Sequence, residues 1–245
     1  MSNQPVAIVT GASRGIGAAT AKLLAQKGYA VCINYHTAKD KADALVQEIN
    51  QHQGKAIAIK ANMADESEII RLFEEVDTQL GTVTALVNNA GINGGTCEVE
   101  NITLDCLQQV FATNVYGTFI ACREALKRMK KNNCGSIVNI TSESAKFGGN
   151  KLSHYAASKA AINTFTVGFA REAAAYNIRV NAVSPSVIDT EVHHSASPER
   201  IAALMNSIPM KRMGDPKEVS ELIHWLLSDA ASYISGAIIP VTGSR

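Results

Sequence analysis

The sequence has few aromatic residues, almost no net charge and no long apolar run. Aromatic residues make up 5% of its 245 positions, and 23 Lys and Arg balance 22 Asp and Glu, leaving a formal net charge of +1. A chain so close to neutrality lacks the electrostatic field that attracts nucleic acids or anionic lipids. The apolar run at 6–9 is too short for a signal peptide or a membrane span. We therefore expect neither nucleic acid nor a membrane as a partner.

Cysteine is also scarce, and its spacing is uninformative. The chain has no C-x-x-C pair among its five cysteines, which are Cys32, Cys97, Cys106, Cys122 and Cys134. An odd number of cysteines without metal-ligand spacing predicts reduced thiols, no metal site and a soluble cytoplasmic protein.

Short apolar runs alternate with longer helical patterns along the whole chain. Strands are predicted at 6–10, 30–34, 56–61, 84–88, 136–142, 179–184 and 237–241. Helices are predicted at 16–28, 39–53, 66–80, 103–131, 152–176 and 216–228. This alternation is typical of the α/β class, and it predicts a doubly wound, seven-stranded parallel sheet with helices on both faces.

The chain shows no internal boundary, so a single domain over 1–245 is predicted. No repeat, charge run or shift in composition divides it. The stretch at about 186–212, which includes His193, His194 and Ser195, has no clear periodicity. Long irregular segments in compact α/β domains are often functional, and this one is predicted to be a substrate lid. A plain surface connection is the alternative interpretation.

Glycines cluster where the first predicted strand meets the first predicted helix. The segment reads Thr10-Gly11-Ala12-Ser13-Arg14-Gly15-Ile16-Gly17. Glycine lets the backbone turn tightly and approach a pyrophosphate, which the free N–H groups of a helix N-terminus can bind. Because the spacing G-x-x-x-G-x-G differs from the commoner G-x-G-x-x-G, a purely structural turn is the alternative.

The end of the second predicted strand bears on the choice of cofactor. It reads Asn34-Tyr35-His36-Thr37, whereas NAD-binding sites usually place Asp or Glu there to bind the adenosine ribose. Without a carboxylate there is no repulsion of a 2′-phosphate, which the Arg14 guanidinium could bind through two N–H groups. The pattern favours NADP(H) over NAD, with His36 either as a further donor or as an ordinary surface histidine.

Tyr155 and Lys159 are four residues apart in a strong helical pattern, so they share one helix face. A nearby ammonium stabilises phenolate, and we expect it to lower the pKa of Tyr155 from about 10. A tyrosine with such a pKa can give a proton to a carbonyl oxygen or take one from an alcohol. Since Y-x-x-x-K also arises readily by chance, the interpretation depends on its context.

That context resembles the short-chain dehydrogenase/reductase family, along almost the whole chain. The matching elements, in order, are Gly11 to Gly17, Asn88-Asn89-Ala90-Gly91, Asn114, Ser142 thirteen residues before Tyr155, Lys159 and the closing Ser235-Gly236-Ala237-Ile238-Ile239-Pro240-Val241. Within the family the sequence is similar to bacterial 3-oxoacyl-(acyl-carrier-protein) reductases and to glucose 1-dehydrogenases. The resemblance implies a Rossmann fold.

The resemblance also implies a catalytic set of Asn114, Ser142, Tyr155 and Lys159. Tyr155 would be the acid/base, Ser142 would bind the substrate oxygen, and Asn114 would hold a water in a proton relay. Lys159 would hold the nicotinamide ribose and lower the pKa of Tyr155. On the residues alone, Asn114 reads as a satisfied helix amide, and Ser142 reads equally as a cap at a strand end.

The implied cofactor site is larger than the glycine segment. Its residues are Gly11, Ser13, Arg14, Gly15, Ile16, Gly17, Tyr35, His36, Asn62, Met63, Asn89, Ala90, Gly91, Tyr155, Lys159, Pro185, Ile188 and Thr190. The sequence departs from the family at Ser186, where glycine is usual and strain would follow if φ were positive. Asn62 replaces an aspartate facing adenine, and Thr242 and Ser244 replace aspartate and glycine near a subunit interface.

These residues together predict an NADP(H)-dependent oxidoreductase that transfers hydride between nicotinamide and a small-molecule carbonyl or alcohol carbon. One alternative is 3-oxoacyl-(acyl-carrier-protein) reduction, and another is an NADP(H)-binding sensor without catalysis. An acidic carrier would need a basic docking patch, and a basic helix end is formed by Arg123, Lys127, Arg128, Lys130 and Lys131. The same cations could simply be a solvated helix end. The family implies a homotetramer.

Overall fold

The computed structural model describes residues 4–191 and 198–245. Its described residues form one seven-stranded sheet in the order β3-β2-β1-β4-β5-β6-β7, with every neighbouring pair parallel. The strands are β1 (Val6–Val9), β2 (Ala30–Tyr35), β3 (Lys55–Lys60), β4 (Ala85–Asn88), β5 (Gly135–Ile140), β6 (Ile178–Pro185) and β7 (Ile238–Val241). The predicted sheet is confirmed, and the predicted strand ends differ from these by at most two residues.

Every predicted helix is present in the structure. The helices are α1 (Gly15–Gln26), α2 (Lys39–Gln51), α3 (Glu66–Gln79), α4 (Leu104–Phe111), α5 (Gly117–Asn132), α6 (Ser144–Phe147), α7 (Ser153–Ala173), α8 (Pro198–Ser207) and α9 (Pro216–Leu227). The predicted helix at 103–131 is interrupted by a π-helical turn, Ala112–Tyr116, between α4 and α5. Among the described helices, none is long and apolar enough to cross a membrane.

The stretch predicted as a lid is less irregular than expected. Helix α8 lies within it, and an isolated parallel bridge joins Ile188 to Gly214. His193, His194 and Ser195 lie outside the described residues. The role of the stretch as a lid stays a prediction.

Helices cover both faces of the sheet, as the alternating pattern predicts. On one face α1, α2 and α9 contribute Leu24, Leu45 and Ile223 to a buried cluster. On the other face α3, α5 and α7 contribute residues such as Phe73 and Met129. Strands β1, β2, β4 and β5 are buried along their whole length, which explains why they read as continuous apolar runs.

The strand order reverses next to β1, which pairs with β2 on one side and β4 on the other. The chain leaves β1 and β4 toward opposite faces, so a crevice opens beyond their carboxyl ends. In doubly wound sheets this is where ligands bind.

Candidate active site

A cavity of about 770 Å³ lies at the carboxyl ends of the strands. It is lined by all the predicted cofactor-binding residues except Gly17, and by Ser142, Tyr155 and Lys159 of the predicted catalytic set. Asn114 is fully buried and does not line the cavity. The fold therefore brings the glycine segment and the Tyr155–Lys159 pair to one continuous space, although they are far apart in the sequence.

The glycine segment turns tightly into α1 at one end of this cavity. Gly11 and Gly15 have φ of 60° and 57°, a region in which residues with a Cβ are strained. A Cβ on Gly11 would also lie 2.8 Å from the Cα of Ala90. The Asn89 side-chain amide fixes the turn by donating to the carbonyls of Thr10 and Gly11, over 2.9 and 3.0 Å. The turn thus presents backbone and the start of α1 to the cavity.

Gly17 acts through packing rather than by lining the cavity. A Cβ there would lie 2.5 Å from Asn89 Nδ2 and 2.8 Å from both Ala12 Cα and the Gly11 carbonyl oxygen. The third glycine therefore lets α1 approach the turn closely. Gly17 would therefore support the predicted cofactor site through this packing and would not contact the cofactor itself.

Asn34, for which the sequence predicts no role of its own, also holds the glycine turn. Its Oδ1 accepts from the backbone N–H of Gly11 over 3.1 Å, and its Nδ2 donates to the carbonyl of Ala61 over 3.0 Å. The sequence signal that could have identified it is an asparagine that ends an otherwise apolar strand run, a position where a buried amide needs partners.

Charges of both signs meet at the Arg14 end of the cavity. Arg14 and His36 line it, as does Glu191, which follows β6. Lys41 on α2 donates to both carboxylate oxygens of Glu191 over 2.7 Å, and an Arg14 nitrogen lies 4.0 Å from the same carboxylate. Arg14 and His36 were predictable from the sequence, whereas Lys41 and Glu191, which are 150 residues apart in the chain, were not.

Asn62 and Met63 line the cavity near the end of β3, and their contact with adenine stays a prediction. The Asn62 Oδ1 accepts from the backbone N–H of Ala64 over 3.0 Å, and its own N–H donates to Glu68 over 2.8 Å. Asparagine therefore supports the local turn with its acceptor oxygen here.

Tyr155, Ser142 and Lys159 converge at the other end of the cavity. The Lys159 ammonium lies 5.9 Å from the centroid of the Tyr155 ring and donates to the carbonyl of Ile140 over 2.8 Å. Burial lowers the pKa of Lys159 from 10.5 to about 8, because the charged form is desolvated. This arrangement matches the predicted juxtaposition of a phenol and an ammonium.

The pKa of Tyr155 shifts in the direction opposite to the expected one. Burial raises it above 10.0, and a hydrogen bond with the Ser142 side chain lowers it in part. Desolvation penalises phenolate, whereas Lys159 is held at the Ile140 carbonyl rather than at the phenol oxygen. In the protein alone Tyr155 is therefore a protonated phenol near neutral pH.

Asn114 lies in the π-helical turn, and its side chain makes three hydrogen bonds. Its Oδ1 accepts from the N–H of Ile92 over 2.8 Å, and its Nδ2 donates to the Ile92 carbonyl and to Ser158 Oγ over 2.9 and 3.0 Å. The side chain thus holds the segment after β4. Its part in a proton relay stays a prediction.

The segment after β6 reaches back to the glycine turn. Pro185, Ile188 and Thr190 line the cavity, and a Cβ on Gly15 would lie 3.3 Å from the Thr190 methyl group. Ser186 does not have a positive φ, so the expected strain is absent there. The strained substitution is Ser244, whose φ is 70°.

Further residues line the cavity beyond Ser142 and Tyr155, where a substrate would lie. They include Ile92, Asn93, Glu143, Phe147, Leu152 and Leu204. The Glu143 Oε2 atom is enclosed and has no hydrogen-bond partner among the residues described. No group of three or more His, Cys, Asp or Glu in the described part of the chain is placed to hold a metal ion.

Three of the five cations at the basic end of α5 are paired with neighbouring carboxylates. The buried Glu124 pairs with Lys127 at 2.7 Å and with Arg128 at 3.0 Å, and Arg128 also pairs with Asp77. Arg123 pairs with Glu66 and Glu124. These contacts fit a solvated helix end better than a patch that docks an acidic carrier.

Comparison with known proteins points to one family. The model of a family described as enoyl-(acyl carrier protein) reductase matches residues 11–243. An uncharacterized oxidoreductase of Escherichia coli, YgfF, is 45% identical over 98% of this chain and 99% of its own length. The 3-oxoacyl-[acyl-carrier-protein] reductase FabG of Staphylococcus epidermidis is 37% identical over 97% of both chains. A 3-oxoacyl-[acyl-carrier-protein] reductase of Synechocystis is 39% identical over 97% of this chain and 95% of its own.

Proposed function

The chain belongs to the short-chain dehydrogenase/reductase family, and we propose that it is an NADP(H)-dependent oxidoreductase acting on a carbonyl or alcohol carbon, with Tyr155 as acid/base. One observation carries this proposal. A single cavity joins a glycine turn at the start of α1 to the Ser142, Tyr155 and Lys159 side chains. A dinucleotide in this cavity would have its pyrophosphate at the helix N-terminus and its reactive ring at the tyrosine.

The choice of NADP(H) is supported by the charges at the nucleotide end. Arg14 and His36 line the cavity there, and β2 ends without a carboxylate. Arginine binds phosphate through two parallel N–H groups. When bound, the cofactor supplies or accepts the hydride.

The protein's own part of the reaction is to hold the substrate oxygen and to move a proton. Ser142 and Tyr155 line the cavity side by side, so a carbonyl oxygen bound next to them would accept from both hydroxyls. Because burial keeps Tyr155 protonated, its Oη proton is available to that oxygen as negative charge develops on it. The Lys159 ammonium would then stabilise the phenolate that remains. In the oxidative direction the same tyrosine would take the proton of an alcohol.

The test is a Tyr155→Phe variant assayed by NADPH oxidation across a panel of carbonyl compounds. Loss of the acid/base is expected to lower kcat by about 10²–10⁴-fold, while NADPH still binds. Near-normal turnover by the variant would overturn the assignment of Tyr155. If the unaltered protein binds NADPH and turns over no carbonyl compound, the non-catalytic sensor is the better function.

A second candidate is 3-oxoacyl-(acyl-carrier-protein) reduction, which two of the relatives carry in their names. A carrier-docking surface is not supported at Arg123, Lys127 and Arg128 of α5, which are paired with carboxylates. The discriminating assay compares one 3-oxoacyl thioester on the carrier protein and on a small thiol. A clear preference in kcat/KM for the carrier-bound form would favour this candidate.

We also propose that the protein is a cytoplasmic homotetramer. Exposed apolar residues lie on the α4–α5 segment, Leu104, Tyr116 and Phe119, and on α9 and the edge strand β7, Trp225 and Ile238, and subunits would cover such residues in an assembly. All five cysteines are free thiols, which fits a reducing compartment. Light scattering after size-exclusion chromatography tests the assembly, and a monomer would contradict it.

A further inference from the structure

The segment after β4 forms a wall of the cavity without regular secondary structure of its own. Gly91, Ile92 and Asn93 line the cavity beside Tyr155. Their positions depend on side chains from other elements, since Asn114 binds both backbone groups of Ile92. A second side chain holds the next residue along this segment, and the sequence analysis gave it no role.

That side chain is His154, which directly precedes Tyr155 on α7. Its Nε2 lies 2.8 Å from the carbonyl oxygen of Asn93, and the residue is 3% exposed. A carbonyl oxygen only accepts, so Nε2 carries the hydrogen of this bond. The Nδ1 atom is buried without a partner among the described residues, so the ring gains nothing from its second nitrogen. An apolar side chain of similar size would fill the space without leaving an unpaired acceptor.

The wall packs directly on the imidazole ring. Gly94 has φ of 72°, and a Cβ there would lie 3.0 Å from His154 Nε2 and 2.6 Å from Val110. The Cys106 thiol contacts the Gly94 carbonyl over 3.4 Å. Movement of the ring would therefore move the wall, because the backbone of the wall lies against it with no intervening space.

We propose that His154 is a positioning residue that sets how the substrate fits, by tying the Asn93 wall to the helix that carries Tyr155. The inference rests on the proposed function, in which Tyr155 meets the substrate oxygen. Adjacent residues on one helix then fix the reacting oxygen and the wall relative to each other. The bond between His154 and Asn93 does not involve the Arg14 end of the cavity. We therefore do not expect the affinity for the cofactor to depend on His154.

The test compares His154→Leu, which fills the space without a donor, with His154→Gln, whose amide can place an N–H near the position of Nε2. For the leucine variant we expect KM for a carbonyl substrate to rise about tenfold, because substrate binding must then order a wall that has lost one hydrogen bond. NADPH affinity is expected to stay within about twofold. The glutamine variant is expected to recover most of the loss. A rise in KM that is larger for bulkier substrates would support the proposal, because it shows that His154 affects how the substrate fits against the wall.

Backbone hydrogen exchange of residues 92–95 provides a readout that needs no turnover. The leucine variant is expected to exchange faster there, and the glutamine variant to resemble the unaltered protein. If KM and exchange are unchanged in both variants, or if leucine and glutamine lose stability and NADPH affinity alike, the proposal is overturned. Failure of the unaltered protein to reduce any carbonyl compound would instead count against the proposed function, and the exchange result would still decide the anchoring of the wall.

Discussion

Lys159 donates a hydrogen bond from its ammonium to the carbonyl of Ile140 over 2.8 Å, at a position where the lysine is 4% exposed. One neutral acceptor does not replace the hydration of an ammonium, and burial lowers the pKa of this group to about 8. The fold therefore keeps a charge in its interior at a cost in stability. Such a cost is typical of residues retained for function.

Lys159→Met is expected to raise stability near neutral pH while removing activity. The folded pKa of Lys159 lies below the unfolded value of 10.5, so between about 8 and 10.5 the unfolded chain binds more protons and stability rises with pH. Below pH 8 the full penalty applies, and methionine removes it. We expect the free energy of unfolding to rise by about 1–3 kcal/mol at pH 7. The gain is smaller than the full penalty because the Ile140 carbonyl loses its hydrogen-bond donor.

Urea unfolding at pH 7 and pH 10 measures this effect. The difference between the variant and the unaltered protein should shrink at pH 10, because Lys159 is then largely neutral in the fold. The control is Lys22→Met, an exposed lysine paired with Glu48, for which we expect a change within about 0.5 kcal/mol. A Lys159→Met variant that is less stable at pH 7, by an amount independent of pH, would contradict the account.

Gly17→Ala is expected to destabilise the protein without adding an atom to the cavity lining. The new methyl group would lie 2.5 Å from Asn89 Nδ2 and 2.8 Å from backbone atoms of the glycine turn, so the turn must shift. We expect a loss of about 1–3 kcal/mol, together with weaker NADPH binding. The matched control is Gly168→Ala on α7, where a Cβ meets nothing within 4 Å and helix propensity favours alanine. Equal stability of the two variants in thermal unfolding would refute the packing role of Gly17.

The sheet and its helices were predictable because their signals are local and periodic. Most buried strands are short, mainly apolar runs, and parallel strands need the helical crossovers that the chain supplies between them. The π-helical turn at Ala112–Tyr116 was not predictable, since its residues continue an ordinary helical pattern. Only the fold shows why the turn matters there, because it carries Asn114 to the backbone of Ile92.

The residues of the candidate site were predictable where they form a sequence motif. They were not predictable where their role depends on a contact between residues far apart in the chain. Tyr155, Lys159 and the glycines were identified, whereas His154 reads from sequence as any helix residue. Its role depends on a contact with Asn93, which is 61 residues away. The predicted lowering of the pKa of Tyr155 was wrong for a related reason, because spacing along a helix gives no information on burial.

Arg14→Ala is expected to weaken binding of NADPH much more than binding of NADH. The guanidinium lines the cavity at the end where a 2′-phosphate would lie, and the site has no carboxylate on β2 that would favour NADH. Loss of one charge-assisted contact corresponds to about tenfold or more in the dissociation constant for NADPH. Calorimetric titration with each nucleotide measures the change. If both affinities fall by the same factor, Arg14 does not recognise the 2′-phosphate.

Glu191→Gln is expected to have the opposite effect, strengthening NADPH binding relative to NADH. The Glu191 carboxylate lines the same end of the cavity, accepts two contacts of 2.7 Å from Lys41 and lies 4.0 Å from Arg14. A negative charge there repels a 2′-phosphate and competes with it for both cations. Glutamine keeps the size of the side chain and removes the charge, so NADPH affinity should rise about three- to tenfold and the effect should weaken with added salt.

Two comparisons separate this competition from a structural role of Glu191. Glu98→Gln removes a surface carboxylate that pairs with Lys151 at 2.8 Å and does not line the cavity, so it should leave both affinities unchanged. Titration with 2′,5′-ADP and with 5′-AMP isolates the phosphate that Glu191 is argued to oppose. If Glu191→Gln instead weakens 2′,5′-ADP binding, the carboxylate serves to place Lys41 and Arg14 for the phosphate, and competition is the wrong description of this contact.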